Sequence, residues 1–156
     1  MDRRTMLTFA AAGAAAVALP GLAAGLPAVR VFKSPTCGCC TGWVEHLHQQ
    51  GFTVAVEDVG NAAARARLGI SDKLGSCHTA EVAGYAIEGH VPAADIKRLL
   101  ASRPRARGLA VPGMPIGSPG MESGGRRDAY DVLLVRTDGS TSVFASYPAA
   151  PARKSS

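Results

Sequence analysis

Between Ser34 and Trp43 the chain reads S-P-T-C-G-C-C-T-G-W, placing three thiols within four consecutive positions. Cys37 and Cys40 alone have the C-x-x-C spacing of a dithiol redox pair, and Cys39 adds a third sulfur between them. The fourth cysteine, Cys77, is followed at once by His78 in the run S-C-H-T-A. Thiols at a helix N-terminus face partial positive charge and unpaired N–H donors, which favour the thiolate. A thiolate serves equally as redox nucleophile and as metal ligand, so position alone does not choose between the two chemistries.

The neighbouring pattern predicts the elements that hold these residues. Val29 to Lys33 is a short β-branched and aromatic run that stops at Ser34-Pro35, as a buried strand would. Thr36 is placed to cap a helix in which Trp43, Val44, Leu47 and Gln50 fall at helical spacing until Gly51. Phe52 to Val59 alternates as a second strand, and Ala62 to Leu68 reads as a short helix closed by Gly69. Strand, helix, strand implies a parallel pair with a right-handed crossover. Val82 to Val91 follows with a turn expected near Glu88-Gly89, and Pro92 opens a helix through Ile96, Leu99 and Leu100 that ends before Pro104. From Gly108 to Gly125 the chain is too rich in Gly and Pro for regular structure and reads as a loop carrying Met114 and Met121. Tyr130 to Arg136 and Thr141 to Tyr147 flank Asp138-Gly139, a strong hairpin signal. The tail from Pro148 to Ser156 reads as disordered.

An order of β-α-β-α, then a β-hairpin and a helix, resembles the thioredoxin fold, with C-G-C-C where that fold carries C-x-x-C. The expected class is α/β, a thioredoxin-like fold with a Gly/Pro/Met-rich loop and a C-terminal β-hairpin extension. In that fold the segment entering the third strand crosses opposite the helix cysteines, usually with a cis-proline. Here the matching segment is Cys77 to Ala80, and a cysteine and a histidine stand there instead. Four sulfurs would then converge, and four thiolates in one small volume require neutralisation. Two disulfides could supply it, for example Cys37 with Cys40 and Cys39 with Cys77, and so could metal. Soft thiolates with methionine nearby favour Cu(I), several ions of which could share bridging sulfurs, whereas zinc prefers four tetrahedral Cys or His ligands. A polynuclear Cu(I) site is the expectation, with Cys37, Cys39, Cys40 and Cys77 as ligands and His78, Met114 and Met121 as candidate additions.

Three longer blocks share a family pattern: P-T-C-G-C-C-x-x-W-x-x-H-L, then S-C-H-T-A-x-V-x-G-Y-x-I-E-G-H-V-P, then G-L-A-V-P-G-M-P-x-G-S-P-G-M-E. Together they resemble the DUF411 family of bacterial metal-binding proteins over about residues 28 to 147. The resemblance implies an exported thioredoxin-like protein associated with copper resistance, whose cysteines are copper ligands.

Composition narrows the alternatives. A chain of 156 residues with 47% hydrophobic content suits one domain with its own core. A net charge of +5 with 5% aromatic residues argues against a nucleic-acid groove. Arg3 and Arg4 ahead of an Ala-rich run from Leu7 to Ala24 resemble a twin-arginine export signal, so residues 1–25 are read as a signal, 28–147 as the copper-binding domain and 148–156 as a tail. Because no second long apolar segment follows, a soluble periplasmic protein without stable membrane insertion is expected, with copper ions and other periplasmic copper-handling proteins as partners. No phosphate-binding loop, nucleophile elbow or carboxylate pair is present, so phosphoryl and hydrolytic chemistry are set aside. His46 is read as a surface or packing residue, His90 as a hydrogen-bonding loop residue, Trp43 as a core anchor and Glu88 as a strand-end surface charge. The functional expectation is Cu(I) sequestration or transfer for copper tolerance. A copper-linked thiol or copper oxidoreductase is the rival, and a metal-free disulfide protein a third reading.

Overall fold

The computed structural model describes residues 25–152. The expected signal, residues 1–25, lies outside these apart from Gly25, as do the last four residues of the tail. The elements run β1 (Val29–Lys33), α1 (Gly38–Gln49), β2 (Val54–Glu57), α2 (Ala62–Arg67), β3 (His78–Val82), β4 (Tyr85–Glu88), α3 (Ala93–Ser102), β5 (Gly108–Ala110), β6 (Tyr130–Val135) and β7 (Thr141–Tyr147). All seven strands join one mixed sheet in the order β2-β1-β3-β4-β5-β6-β7. The pairs β1 with β2 and β4 with β5 are parallel, and the others are antiparallel.

Alternation along the strands sorts the core into two faces. Ile87 and Leu109 join Val29, Val31, Ala80 and Val82 in the main cluster, which α1 covers with Trp43, Val44 and Leu47 and α3 with Ile96 and Leu99. The neighbouring Ala86 and Ala110 belong to a smaller cluster with Ile70 and Val135, against which Leu68 and Leu74 pack. In α1 the buried positions are Cys40, Trp43, Val44 and Leu47, one continuous stripe of a helix resting on a sheet. Fully burying Trp43 and Leu47 contributes on the order of 2–3 kcal/mol each. Among the described residues no helix is long and apolar enough to cross a membrane.

Several expectations are corrected. The N-cap of α1 is Cys37, not Thr36, and the second strand is limited to Val54–Glu57. Gln50 is the exposed C-cap of α1 rather than part of its buried stripe. The turn between β3 and β4 falls at Ala83-Gly84, not at Glu88-Gly89, because both turn residues take positive φ, 48° and 84°, as a tight hairpin requires. The Gly/Pro-rich stretch begins as the strand β5, fully buried between β4 and β6, where main-chain pairing on both sides outweighs poor strand composition. Pro148 to Ala150 is not a free tail, since Ala150 exchanges two backbone hydrogen bonds with Arg127 at 2.8 and 2.9 Å. The hairpin around Asp138-Gly139 forms β6 and β7 as expected, with a bulge between Val132 and Leu133.

Candidate metal centre

The sheet register brings the two thiol-bearing segments together. Lys33, the last residue of β1, pairs with His78, the first of β3, so Cys77 leaves the sheet beside the chain that enters α1. Cys37 caps that helix without a side-chain hydrogen bond of its own. Cys37 and Cys40 are joined as a disulfide, while Cys39 and Cys77 are free thiols. The Cys39 Sγ lies 3.4 Å from Cys37 Sγ and 3.7 Å from Cys77 Sγ, and Cys40 is fully buried with its Sγ 3.5 Å from the Cys77 carbonyl oxygen. All four sulfurs lie within 4.8 Å of one another. Of the two pairings left open by the sequence, one is made and the other is held as a close thiol pair.

Two buried histidines meet the far side of Cys77. His78 Nδ1 lies 3.4 Å and His90 Nε2 3.1 Å from the Cys77 sulfur, and both side chains are fully buried. The His90 Nδ1–H donates to the Pro119 carbonyl at 2.7 Å, an assignment from the hydrogen-bond partner that leaves the Nε2 lone pair facing Cys77. Burial holds both imidazoles below their usual pKa, His78 at about 3, so each is neutral at pH 7 and able to coordinate. His78 Nε2 is buried without a hydrogen-bond partner, which is costly for a polar atom unless something else satisfies it. The Cys77 thiol is pushed up, first by burial and then by the adjacent Cys39, and so resists losing its proton.

The Gly/Pro/Met loop after β5 closes over this cluster. Gly120 lies so near α1 that a Cβ there would sit 2.6 Å from the Trp43 nitrogen and 2.7 Å from the Cys39 oxygen, and its φ of +86° also favours glycine. The facing residue on the helix is Gly42, whose own Cβ would meet the Gly120 Cα at 3.1 Å. Along the same loop, Met114 places its Sδ 3.9 Å from Cys39 Sγ. No comparable sulfur contact joins Met121 to the cysteines among the described residues; its backbone bonds to Ser118 and Gly117 within the loop.

A carboxylate clamps the Cys77 segment from behind. Glu88 is fully buried rather than a surface charge: it accepts from the Ser76 N–H at 2.7 Å, from the Thr79 hydroxyl at 2.5 Å and from Arg65 at 3.2 Å. Asn61 and Arg65 also donate to the Ser76 carbonyl, so the residue before Cys77 is held at both its N–H and its C=O. His46 accepts the Ala93 N–H at 3.0 Å, supplying the start of α3 with the acceptor that Pro92 lacks.

Glu88 is not the strand-end surface charge expected, whereas His90 makes a loop hydrogen bond as expected and also faces Cys77. Both precede or end an element, where local pattern carries no sign of what lies across the fold. The grouped donors are cysteine sulfur and imidazole, soft and borderline groups that suit copper and also admit zinc, with the Met114 thioether beside Cys39 at the rim. Oxygen ligands of the sort that hold calcium or magnesium do not figure among the grouped residues.

No curated protein matches the sequence. Two solved structures do. One, described as copper resistance protein copG in its Form 1, shares 47% identity and a TM-score of 0.75, covering 79% of this chain and 98% of that one. Form 2 of the same description shares 48% identity and a TM-score of 0.74, covering 79% of this chain and 99% of that one. Residues 74–121, which hold Cys77, His78, His90 and the methionine loop, match the family described as a protein of unknown function, DUF411. A family match centred on the Cys77 strand and the loop above it, with near-complete coverage of copper resistance proteins at this identity, makes the chain a member of the DUF411 family.

Proposed function

We propose that this protein binds Cu(I) in the periplasm through Cys37, Cys39, Cys40 and Cys77, with His78 and His90 completing the donor set, and supports copper tolerance by sequestration or transfer. The observation that carries the reading is the Cys39–Cys77 pair, two free sulfurs 3.7 Å apart with neutral buried imidazoles against one of them. Copper is cargo here, and the protein's part is to offer a preformed, largely buried soft site. Four sulfurs within 4.8 Å of one another are close enough to share ions, which favours a polynuclear thiolate cluster over a single ion. Filling all four sulfur positions requires reduction of the Cys37–Cys40 disulfide, a step that consumes two electrons and two protons and yields two thiols.

The proposed architecture is thioredoxin-like. In support, β2-β1-β3-β4 has parallel β1 and β2 joined through α1, antiparallel β3, and a redox-spaced cysteine pair opening α1. The Arg3-Arg4 signal, outside the described residues, supports export by the twin-arginine route. A second reading, a copper-linked thiol or copper oxidoreductase, is favoured by one observation: Cys37 and Cys40 are already bonded as a pair at a helix N-terminus.

Anaerobic titration of the reduced protein with Cu(I), against a competing chelator, tests the binding reading. Retention of more than one copper per chain, reduced in Cys39→Ser, is the expected result. Failure to retain copper would overturn it, and one copper per chain would remove the cluster. Dithiol oxidation that needs only Cys37 and Cys40 and survives Cys39→Ser would favour the oxidoreductase.

A further inference from the structure

The donors around Cys77 are graded in exposure. His78, His90 and Cys40 are fully buried, Cys39 and Cys77 are half-buried, and Met114 is 51% exposed. Met114 is therefore the outermost soft donor of the cluster, and its Sδ is 3.9 Å from Cys39 Sγ. Its backbone neighbour is anchored on the inner side: Gly113 donates its N–H to the Gly75 carbonyl at 3.1 Å and accepts from the Ser76 hydroxyl at 2.5 Å. The residue just before Met114 is thus fixed to the chain leading into Cys77, while the thioether itself faces solvent.

From this geometry we infer that Met114 is the transfer ligand of the site, the donor that first takes Cu(I) from a soft-ligand carrier and passes it to Cys39; the inference rests on the Cu(I) reading above. A thioether is neutral and binds Cu(I) weakly and reversibly beside thiolates, which suits a relay and not a store. In the first step a Cu–Sδ bond forms at Met114 as one carrier–copper bond breaks. In the second, the Cu–Sγ bond to Cys39 forms as the remaining carrier ligand departs, any thiol proton on Cys39 goes to solvent, and the Cu–Sδ bond then breaks as the neighbouring Cys77 sulfur takes its place. Copper remains Cu(I) throughout, so no oxidant or reductant takes part. Thiolates and imidazoles hold the ion afterwards, and Met114 lowers the barrier in both directions. The fitting partner presents Cu(I) on an exposed thioether or thiolate that can share the ion with Met114 during exchange.

Anaerobic stopped-flow transfer from the Cu(I)–bicinchoninate complex to the reduced protein tests this, with equilibrium competition measured on the same samples. Met114→Leu should slow both uptake and chelator-driven release by about tenfold, because a relay acts on rates in both directions. Stoichiometry and equilibrium affinity should stay within about threefold of the parent. Unchanged transfer rates in Met114→Leu would overturn the relay. A loss of equilibrium affinity equal to the loss of uptake rate, with release unaffected or faster, would also overturn it by making Met114 a holding ligand. Failure of the parent protein to retain copper would instead defeat the binding reading itself.

Discussion

His90 Nε2 points at the Cys77 sulfur from 3.1 Å, while Nδ1 of the same ring is tied to the Pro119 carbonyl at 2.7 Å. One ring thus links the β3 segment to the loop that closes the site. The hydrogen bond to Pro119 sets the tautomer, and the tautomer presents a lone pair to the place where a cation bound to Cys77 would lie.

Replacing His90 by alanine should lower apparent Cu(I) affinity by about 10- to 100-fold, the range for losing a ligand or its orienting partner. Chelator competition on the folded, reduced variant measures it. An unaltered affinity would leave His90 as a packing residue that only pins the loop.

Gly120→Ala should loosen the cover over α1. The added methyl would meet the Trp43 nitrogen at 2.6 Å and the Cys39 oxygen at 2.7 Å, and the φ of +86° strains any side chain. A cost of about 1–3 kcal/mol is expected from the backbone conformation together with the clash. Urea unfolding of the copper-free protein gives the number. Gly42→Ala, with a nearest approach of 3.1 Å, should cost less, and equal costs would contradict the close-contact account.

Glu88→Ala should destabilise the fold by about 3 kcal/mol, the lower end for breaking a buried ion pair. Arg65 would lose a partner but keep Asp72 at 3.1 Å and some access to water, whereas the Ser76 N–H and the Thr79 hydroxyl would lose their acceptor. Burial raises the Glu88 pKa against the pull of Thr79, Ser76 and Arg65. Glu88→Gln should therefore be milder, because an amide oxygen still accepts in the same place. Denaturant midpoints of the two variants decide the order.

The copper-free protein should lose stability as the pH falls below about 6.5, and His46 should account for part of the loss. Burial depresses the His46 pKa in the fold, an effect that Lys97 reinforces and Glu122 opposes. Below 6.5 the unfolded chain takes up a proton that the folded chain refuses, so unfolding is favoured until the folded pKa is also passed. Protonation would also remove the acceptor for the Ala93 N–H. In His46→Gln the decline in melting temperature between pH 7 and pH 5 should be shallower than in the parent. An equal slope would show that His46 does not titrate in this way.

The helix α1 illustrates what local pattern can reveal. Trp43, Val44 and Leu47 repeat at helical spacing, Gly51 follows, and the cysteines necessarily fall in the first turn. Strand β1 and the Asp138-Gly139 hairpin were legible for the same reason, since alternation and turn chemistry act between near neighbours. The Ala83-Gly84 turn and β5 were not, because their conformations are imposed by pairing with distant strands.

The sequence by itself determined the donor chemistry: four thiols, three of them at a helix start, and a Cys-His pair at the head of another strand. The tertiary structure alone decided which donors share one volume. The Lys33–His78 register brings Cys77 to α1, and the contact of Gly42 with Gly120 lays the loop on the helix. Through Pro119 that loop orients His90, and Glu88 is drawn inward to hold Ser76. These relationships depend on side chains and carbonyls far apart in the chain meeting at a few ångströms. Such contacts are selected by sheet register and close packing, and neither leaves a periodic trace in the residues around them.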